Sequence, residues 1–253
     1  MGKRIIITAG PTNERIDAVM KITNMSTGTL GSVIADTFLD NKFGEIDKIY
    51  FVSTKMSRTP VYIHSSRIER VVIESTQDLI EALEDIFVKD KIDFIIHSAA
   101  VGDYAGKYVI RAEDLIEEII QKQRDKVVLS RETLMEIFEN PQAVQNDETK
   151  ISSYEPHLMT MLTLTPKVIG KIKQMSPDTK LVGFKLLEGV TEEELYQVAD
   201  RLRKKNDADF IVANDLARIG NGKHWAMIIN KDGIYTQCQT KQEIALALQE
   251  LLF

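Results

Sequence analysis

Short apolar runs alternate with stretches of helical periodicity along most of this 253-residue chain. The apolar runs have the length of single strands, and the periodic stretches have the length of ordinary helices. They predict strands at Ile5–Thr8, Lys48–Val52, Val71–Glu74, Asp93–His97, Leu181–Leu186 and Asp209–Ala213. Helices are predicted between several of these strands, at about 30–41, 76–89, 166–174 and 191–206. The alternation indicates an α/β fold, with a Rossmann-like, mainly parallel sheet and helices on both faces.

The pattern changes near the C-terminus, where two short apolar runs flank the turn sequence Lys231-Asp232-Gly233. Trp225–Asn230 and Ile234–Cys238 therefore predict a β-hairpin. A last helix is predicted to start after Thr240, because Thr240 and Glu243 match the pattern of a capping box.

The segment 104–149 interrupts the alternation of strands and helices. It contains two helix patterns, Ala112–Gln123 and Arg131–Asn140, and neither has a strand signal beside it. We therefore interpret the chain as a single domain, 1–253, with an inserted helical segment at about 105–149. The insertion is a lid, an oligomerisation arm or a plain surface addition.

Composition and charge narrow the range of functions. Apolar residues make up 43% of the chain, enough for a sizeable core, and the formal net charge is −6. Since no long block of Lys or Arg occurs, this charge disfavours nucleic acid and membrane surfaces as partners. No apolar run has the length of a transmembrane helix or of a signal-peptide core. The single cysteine, Cys238, excludes an internal disulfide and a cysteine-based metal site, so we expect a cytoplasmic protein.

Residues 24–31, with the sequence Asn-Met-Ser-Thr-Gly-Thr-Leu-Gly, join a polar loop to the start of a predicted helix. The strand before them runs into a Gly10-Pro11 turn. Open N–H groups at a helix start and the positive end of the helix dipole favour binding of a phosphate group. The alternative is a simple turn, since neither G-x-G-x-x-G nor G-x-x-x-x-G-K-[ST] occurs here.

Small or polar residues also follow three other predicted strands, at 97–104, 182–185 and 213–215. Because parallel strands share the carboxyl edge where α/β proteins bind ligands, each segment is a candidate for ligand contact. Each is equally compatible with a turn cap or a core residue. Pro166 suits the first position of a helix whose N-terminus could hold a further phosphate. Lys150 would add a mobile positive charge nearby, and a solvated loop lysine is the alternative.

Several short motifs, taken in order, resemble those of phosphopantothenate–cysteine ligase, also called phosphopantothenoylcysteine synthetase. They are Thr8-Ala9-Gly10-Pro11-Thr12, the run from Ile22 to Gly28, Ala99 to Tyr104, Lys150-Ile151, Leu164-Thr165-Pro166, Val182-Gly183-Phe184 and Ile211 to Asp215. Their order and spacing match that family over nearly the whole chain, apart from the insertion. Because no flavin-binding, decarboxylase-like domain precedes Met1, the resemblance implies the stand-alone form of the enzyme.

The resemblance implies a ligase of coenzyme A biosynthesis. In that family the carboxylate of 4′-phosphopantothenate attacks the α-phosphate of a nucleoside triphosphate, CTP or ATP, and pyrophosphate leaves. The amine of L-cysteine then displaces the nucleotide from the acyl group. The resemblance also implies Mg²⁺ as cofactor, a homodimer, and a functional link to a separate flavin-dependent decarboxylase.

The resemblance further implies roles for individual residues. Asn24 and Lys150 are implied as catalytic, Asn24 in the transfer to cysteine and Lys150 in pairing with the triphosphate. Asn24 is also implied in substrate binding, together with Ala99, Ala100 and Asp103. No residue is implied as a metal ligand. The implied nucleotide-binding positions are Gly10, Ser26, Gly28, Gly31, Pro166, Phe184, Arg201, Lys205 and Asn214.

Some positions depart from the family pattern. Met20 stands where many relatives have Arg, and Thr29 stands where many have a basic residue. Residues 150–153 and 184–186 are more similar to eukaryotic members, which use ATP, than to bacterial members, which use CTP. Two other functions would share the alternating strands: an NAD(P)-dependent short-chain oxidoreductase and a flavin- or nucleotide-binding module. The Tyr-x-x-x-Lys pair that such an oxidoreductase needs is absent at Tyr104. Visible flavin absorbance of the purified protein would support the flavin-binding module.

Overall fold

A computed structural model of the chain describes residues 2–40, 46–145, 151 and 154–253. These residues form two compact units. The first consists of Met1–Thr12, Asn24–Val101 and Lys167–Phe253, and the second of Asn13–Thr23 and Gly102–Pro166. The second unit is larger than the insertion predicted at about 105–149, because it extends to Pro166 and also takes in residues 13–23.

The strands and helices predicted in the first unit are present, and their ends differ from the prediction by at most three residues except at β10, which continues from the predicted end at Ala213 to Gly220. In chain order the strands are β1 (Lys3–Ala9), β2 (Asn13–Arg15), β3 (Lys21–Thr23), β4 (Ile46–Thr54), β5 (Ile68–Ile73), β6 (Phe94–His97), β7 (Tyr104–Arg111), β8 (Leu158–Leu164), β9 (Lys180–Leu187), β10 (Phe210–Gly220), β11 (Lys223–Asn230) and β12 (Gly233–Cys238). The helices are α1 (Thr29–Asp40), α2 (Thr76–Lys89), α3 (Ala112–Arg124), α4 (Arg131–Glu139), α5 (Val168–Met175), α6 (Glu192–Lys205) and α7 (Lys241–Leu252).

The first unit is built on an eight-stranded sheet in the order β12-β11-β10-β9-β6-β1-β4-β5. All strands from β10 to β5 in this order pair in parallel. β11 and β12 add to one side as an antiparallel hairpin. The predicted α/β fold, its mainly parallel sheet and its C-terminal hairpin are confirmed.

Helices cover both faces of this sheet. Ile5, Ile6 and Ile7 of β1 are all fully buried, because successive side chains of a strand point to opposite faces. Ile5 and Ile7 belong to the cluster that includes α1 and α7, whereas Ile6 belongs to the cluster that includes α2, α5 and α6. Cys238 of β12 is buried in the cluster on the α1 face. Burial of each isoleucine contributes about 1.5–3 kcal/mol of transfer free energy.

Side-chain caps fix where several helices begin. Ser75 and Thr191 each form a capping box with the third residue of α2 and of α6. The predicted start of α7 is confirmed, since the Thr240 hydroxyl accepts a hydrogen bond from Glu243 N at 3.1 Å. Each cap contributes about 1 kcal/mol, because it satisfies backbone N–H groups that the first helical turn leaves open.

The second unit contains two short antiparallel ribbons and two helices. β2 pairs with β3, and β7 pairs with β8. Ile110 of β7, Leu115 of α3 and Ile137 of α4 form its small buried core. The two helices predicted in the insertion are present as α3 and α4, but the prediction that no strand accompanies them is wrong. It failed because β7 pairs with a strand that follows both helices, and pairing over such a distance in sequence leaves no local signal.

Pro166 does not start a helix, contrary to the prediction. α5 begins at Val168, and Lys167 is its N-cap with an extended backbone at φ −79° and ψ 96°. Thr165, which directly follows β8, donates its N–H to Asp103 O at 3.0 Å. This hydrogen bond and the restriction that a proline places on the residue before it keep the chain extended up to Pro166.

Charged side chains surround a buried tyrosine at the amino ends of β1 and β4. The Tyr50 side chain has no exposed surface, and its hydroxyl donates to the Asp90 carboxylate. Arg4 Nη1 lies 2.5 Å from the same carboxylate. The hydrogen bond from Tyr50, followed by the charge of Arg4, lowers the pKa of Asp90, so this carboxylate stays ionised beside the buried ring.

Replacing Tyr50 by phenylalanine removes this hydrogen bond and keeps the aromatic ring. We expect Tyr50→Phe to lower the free energy of unfolding by about 1–3 kcal/mol, because a buried hydrogen bond to a charged group is lost. Urea denaturation followed by circular dichroism measures the change. Tyr62→Phe is the control, since the Tyr62 hydroxyl also donates to a carboxylate, that of Asp40, but from an exposed side chain. An equal loss in both variants would contradict the prediction.

Candidate functional site

The carboxyl ends of the parallel strands lie together at one edge of the sheet in the first unit. The loop 24–28 reaches this edge and leads into α1, which begins at Thr29. Open α/β sheets bind their ligands outside the carboxyl ends of the strands. Most of the candidate residues in the first unit lie at this edge.

Two of the predicted nucleotide-binding glycines, Gly10 and Gly28, pack against each other at the end of β1. Their φ angles are +79° and +76°, and a Cβ atom on Gly28 would lie 3.2 Å from Gly10 N. A Cβ atom on Gly10 would lie 1.9 Å from Ser57 Oγ. Gly31 allows α1 to approach Ala9, since its Cβ would lie 2.6 Å from the Ala9 side chain. The glycines therefore let strand, loop and helix approach more closely than side chains would permit.

Hydroxyl groups line the loop before α1. Gly28 N donates to Ser26 Oγ at 3.5 Å, and the hydroxyls of Thr27 and Thr29 share a hydrogen bond of 2.7 Å. The first N–H groups of α1 have no partner within the helix, and the helix dipole is positive at this end. The loop and the helix start therefore offer donors to an anion.

Two residues of the loop after β4 also hold this helix start, and sequence reasoning missed both. Ser57 Oγ shares a hydrogen bond of 2.7 Å with Thr54 Oγ1 and lies against the glycines at the end of β1. Arg58 N donates to Thr27 O at 2.9 Å, and Arg58 O accepts from Ser32 Oγ at 2.6 Å. The sequence of this loop contains no glycine or recognised motif. Its role at the helix start is therefore visible only from its tertiary contacts.

Asn24 and the pair Ala99-Ala100, all predicted to bind substrate, come together in the first unit. The Asn24 amide nitrogen donates to Ala100 O at 3.0 Å and to Val101 O at 3.1 Å. Ala100 is also tied to the end of β1, because its N–H donates to Gly10 O at 2.8 Å. Three segments that are distant in sequence therefore meet around one side-chain amide, and its hydrogen bonds fix which end of the amide faces the backbone.

Phe184 and Asn214 lie on the neighbouring strands β9 and β10. Phe184 packs, partly buried, against the core on the α1 face. Asn214 is buried, and its amide nitrogen donates to His224 Nε2 of β11 at 2.6 Å. Burial, together with the charge of Lys241, lowers the pKa of His224 to about 4, so the ring is neutral. His224 was not predicted, and a lone histidine at the start of an apolar strand is its only sequence signal.

The fold of the first unit does not bring Arg201 and Lys205 to this edge. Both lie in the last two turns of α6, with exposed side chains. α6 starts beyond the carboxyl end of β9 and returns to the amino end of β10, so its last turns lie at the opposite edge of the sheet. Their predicted contact with a nucleotide gains no support from this geometry.

Asp103 and Pro166 belong to the second unit. Asp103 directly precedes β7, and its carbonyl accepts the N–H of Thr165, the residue before Pro166, at 3.0 Å. The two predicted positions therefore lie close to each other at one end of the β7–β8 ribbon.

Lys150, predicted as catalytic, lies outside the described residues. The residue that follows it, Ile151, is buried and donates its N–H to Asp17 Oδ2 at 3.1 Å. Asp17 Oδ1 accepts from Val19 N and Met20 N, both at 2.6 Å. One buried carboxylate thus ties the β2–β3 turn to the chain at Ile151 within the second unit.

Within the described ranges, no group of three His, Cys, Asp or Glu side chains could hold a metal ion. A cation at the site would therefore need further ligands, such as the oxygens of a bound phosphate. None of the helices in the described part of the chain is long and apolar enough to cross a membrane.

Comparisons with known proteins point to one family. The family described as DNA/pantothenate metabolism flavoprotein C-terminal domain matches residues 1–140 and 140–253. The coenzyme A biosynthesis bifunctional protein CoaBC of Thermococcus kodakarensis is 28% identical over 231 residues, which are 91% of this chain and 46% of that protein. CoaBC of Methanocaldococcus jannaschii is 26% identical over 98% of this chain and 50% of its own length. The chain thus spans about half the length of these curated relatives.

Solved structures share the fold over the whole chain. The DNA/pantothenate metabolism flavoprotein from Streptococcus pneumoniae is 32% identical, with a TM-score of 0.80, and the match covers 100% of this chain and 98% of that one. A mutant of Cab2 in complex with phosphopantothenate-cysteine is 14% identical, with a TM-score of 0.65, over 99% of this chain and 87% of that one. At this low identity, the likeness to Cab2 shows a common fold.

Two buried histidines predict how stability depends on pH. Burial lowers the pKa of His97 and that of His224 to about 4 in the folded chain, against about 6.5 in the unfolded chain. Between these values the unfolded chain binds more protons than the folded one. The contribution of the two neutral histidines to the free energy of unfolding is therefore fully present above about pH 6.5, and it is lost as the pH falls towards about 4.

We expect the free energy of unfolding, measured by urea titration, to fall between about pH 7 and about pH 5. The fall should be smaller in His224→Gln, because this variant removes one of the two buried groups that must take up a proton. His64→Gln replaces an exposed histidine and serves as the control. A pH dependence in His224→Gln equal to that of the unchanged chain would contradict the prediction.

Proposed function

The chain belongs to the family of DNA/pantothenate metabolism flavoprotein C-terminal domains, and from this membership we propose that it is a phosphopantothenate–cysteine ligase of coenzyme A biosynthesis. One observation carries the proposal: the Asn24 amide nitrogen donates to the carbonyls of Ala100 and Val101, at 3.0 and 3.1 Å. This contact joins the loop before α1 to the loop after β6, the segments proposed to hold nucleotide and acid. No observation at this edge favours an oxidoreductase or a flavin-binding module over the ligase.

The proposed reaction has two steps. A carboxylate oxygen of 4′-phosphopantothenate attacks the α-phosphate of CTP or ATP, and pyrophosphate leaves. The amine of L-cysteine then attacks the acyl carbon, loses a proton and displaces the nucleoside monophosphate. The product is an amide. Because both reactants of the first step are anionic, the protein must orient them and must supply cations or hydrogen-bond donors around phosphorus.

We assign the nucleotide phosphates to the N-terminus of α1, near Ser26 and Gly31. The N–H groups and the helix dipole there suit an anion. Gly10 and Gly28 leave the backbone at the end of β1 free of side chains. A Cβ atom at either position would lie in close contact with its neighbours. A chain with a net charge of −6 needs such local donors to hold a triphosphate.

Phe184 and Asn214 are assigned to the same nucleotide. Both lie on strands whose carboxyl ends reach this edge of the sheet, β9 and β10. Asn214 is held by His224, so its amide is fixed in orientation. The resemblance also implies nucleotide contacts for Arg201 and Lys205, but both lie at the opposite edge of the sheet, so we do not assign them to this nucleotide.

We assign Asn24 to the second step. Its amide nitrogen is committed to two backbone carbonyls. The amide oxygen carries two lone pairs and can therefore accept a hydrogen bond from an incoming amine. This orientation suits the amine of cysteine better than the acyl carbonyl, which would require a donor. Ala99, Ala100 and Asp103 are assigned to the acid substrate.

Mg²⁺ is proposed as the cofactor, and Lys150 as the residue that pairs with the triphosphate. Bound Mg²⁺ would neutralise charge on the phosphates. Because the described residues contain no group of three ligating side chains, the phosphates and water would supply ligands to this ion. Lys150 precedes Ile151, whose N–H is held by Asp17, and its ammonium would add a positive charge during activation.

The remaining assignments follow the family. We propose a cytoplasmic homodimer that acts on 4′-phosphopantothenate, L-cysteine and a nucleoside triphosphate. We also propose a functional link to a separate flavin-dependent decarboxylase, since the curated relatives are named bifunctional proteins. Light scattering coupled to size-exclusion chromatography tests the dimer.

A pyrophosphate-release assay tests the proposed function. With 4′-phosphopantothenate and Mg²⁺ present, CTP or ATP should release pyrophosphate in a single turnover, and added L-cysteine should allow many turnovers. The ratio of the two rates decides which nucleotide is preferred. Absence of release with either nucleotide, or visible flavin absorbance of the purified protein, would count against the ligase.

Replacing Asn24 by aspartate tests its assignment to the second step. We expect Asn24→Asp to form the acyl-nucleotide and to transfer it to cysteine roughly 10²-fold more slowly, because the oriented amide is lost at the transfer step. Rapid-quench measurements separate the two steps. Asn230→Asp makes the same change beside the β11–β12 turn and should leave both rates unchanged. If Asn24→Asp slowed both steps equally, the assignment of Asn24 to the second step alone would be wrong.

Replacing Lys150 by alanine tests its assignment to activation. We expect Lys150→Ala to lower nucleotide-dependent pyrophosphate release by roughly 10²-fold or more, the scale of losing one transition-state donor. Lys231→Ala removes an exposed lysine of the β11–β12 turn and is the control. Near-normal release in Lys150→Ala would leave this residue as a solvated loop lysine.

A further inference from the structure

Thr8 and His97 form the last pair of the ladder between β1 and β6. Both side chains are buried at the carboxyl ends of their strands, and Thr8 has no exposed surface. In the sequence Thr8 begins a motif of the family and His97 begins a candidate ligand-contact segment, but neither side chain has a role of its own. Their position is nevertheless directly beneath the loop that begins at Ser98 and contains the proposed substrate contacts.

The direction of each hydrogen bond in this pair follows from the donors present. Ala99 N donates to Thr8 Oγ1 at 3.1 Å, and Thr8 Oγ1 lies 2.9 Å from His97 Nδ1. If Nδ1 donated, the hydroxyl would accept twice and its own hydrogen would be buried without an acceptor, which is costly. Thr8 therefore donates to Nδ1, and the ring is the neutral tautomer with its hydrogen on Nε2. Burial lowers the pKa of His97 to about 4, which agrees with a neutral ring.

This pair fixes the start of the loop after β6. Ser98 Oγ donates to Thr8 O at 2.7 Å, so Thr8 holds both Ser98 and Ala99. Ala100 follows, and its carbonyl accepts from the Asn24 amide nitrogen at 3.0 Å. Thr8 fixes the position of Ala99, and the position of Ala99 fixes that of the Ala100 carbonyl. The position of the Asn24 amide therefore depends on Thr8.

We propose that Thr8, with His97 as its hydrogen-bond acceptor, is a positioning residue for the transfer to cysteine. Its hydroxyl sets the loop Ala99–Val101, and this loop in turn orients Asn24. The proposal rests on the proposed function, in which Asn24 serves the second step. A contact that only stabilised the fold would change the free energy of unfolding without changing the balance between the two steps.

Two variants of Thr8 test the proposal. Thr8→Val keeps the shape and removes the hydroxyl, whereas Thr8→Ser keeps the hydroxyl. We expect Thr8→Val to slow transfer to cysteine on the order of 10- to 100-fold, since a small misplacement of a catalytic group costs that much, and to change pyrophosphate release far less. Thr8→Ser should retain transfer within about twofold of the unchanged chain. If Thr8→Val does not fold, Thr8→Ala removes the same hydroxyl and carries the test.

Thr179→Val is the matched control. Thr179 is also a buried threonine, and its hydroxyl donates to Ile92 O at 2.9 Å, near the amino end of β9. The same isosteric change there should leave the ratio of the two steps unchanged. Equal shifts of that ratio in Thr8→Val and Thr179→Val, or no shift in Thr8→Val, would overturn the proposal.

A second measurement does not depend on activity. In protein labelled with ¹⁵N at asparagine side chains, the amide signals of Asn24 should move in Thr8→Val and stay in place in Thr8→Ser and Thr179→Val. Unmoved Asn24 signals in Thr8→Val would overturn the link between the two residues. If the unchanged protein released no pyrophosphate, the proposed function would fail, and this measurement alone would decide whether Thr8 positions Asn24.

Discussion

The close approach of α1 to the end of β1 is the constraint on which the site depends. A methyl group at Gly31 would meet the Ala9 side chain at 2.6 Å, and one at Gly10 would meet Ser57 Oγ at 1.9 Å. A Cβ atom on Gly28 would also lie 3.2 Å from Gly10 N, so backbone lies close to backbone there, and the loop before α1 lies within hydrogen-bonding distance of the loop after β6. At this spacing the Asn24 amide nitrogen reaches the Ala100 carbonyl at 3.0 Å.

The two edges of the sheet use different polar chemistry. At the amino edge, a buried tyrosine joins an ion pair between Arg4 and Asp90. At the carboxyl edge two buried pairs are neutral, since a histidine with a pKa of about 4 bonds to Thr8 and another to Asn214. Neutral pairs add no negative charge next to the start of α1. This suits an anionic ligand in a chain whose net charge is already −6.

Most of the first unit could be predicted from the sequence, whereas in the second unit the helices α3 and α4 could be predicted and the strands could not. The unbroken apolar run of Ile5–Ile7 marks a strand buried on both faces, and Thr240 marks the start of α7, because both signals are local. β7 and β8 were missed because they pair across two intervening helices. The candidate site follows the same rule. Asn24 lies in a recognisable motif, but Ser57 and His224 reach the site only through tertiary contacts that no local pattern records.

Cys238 is the only cysteine of the chain, and it is buried in β12. Burial, with a smaller effect from the charge of Glu243, raises the pKa of its thiol to about 11, so almost no thiolate forms at neutral pH. In the proposed reaction free cysteine is a substrate, and this inert thiol would not attack the disulfide of cystine, its oxidised form, so the exchange that gives a mixed disulfide and releases cysteine is suppressed. Thiol-reactive dyes added to the native protein will therefore report the sulfur of the substrate and product without a background from the protein.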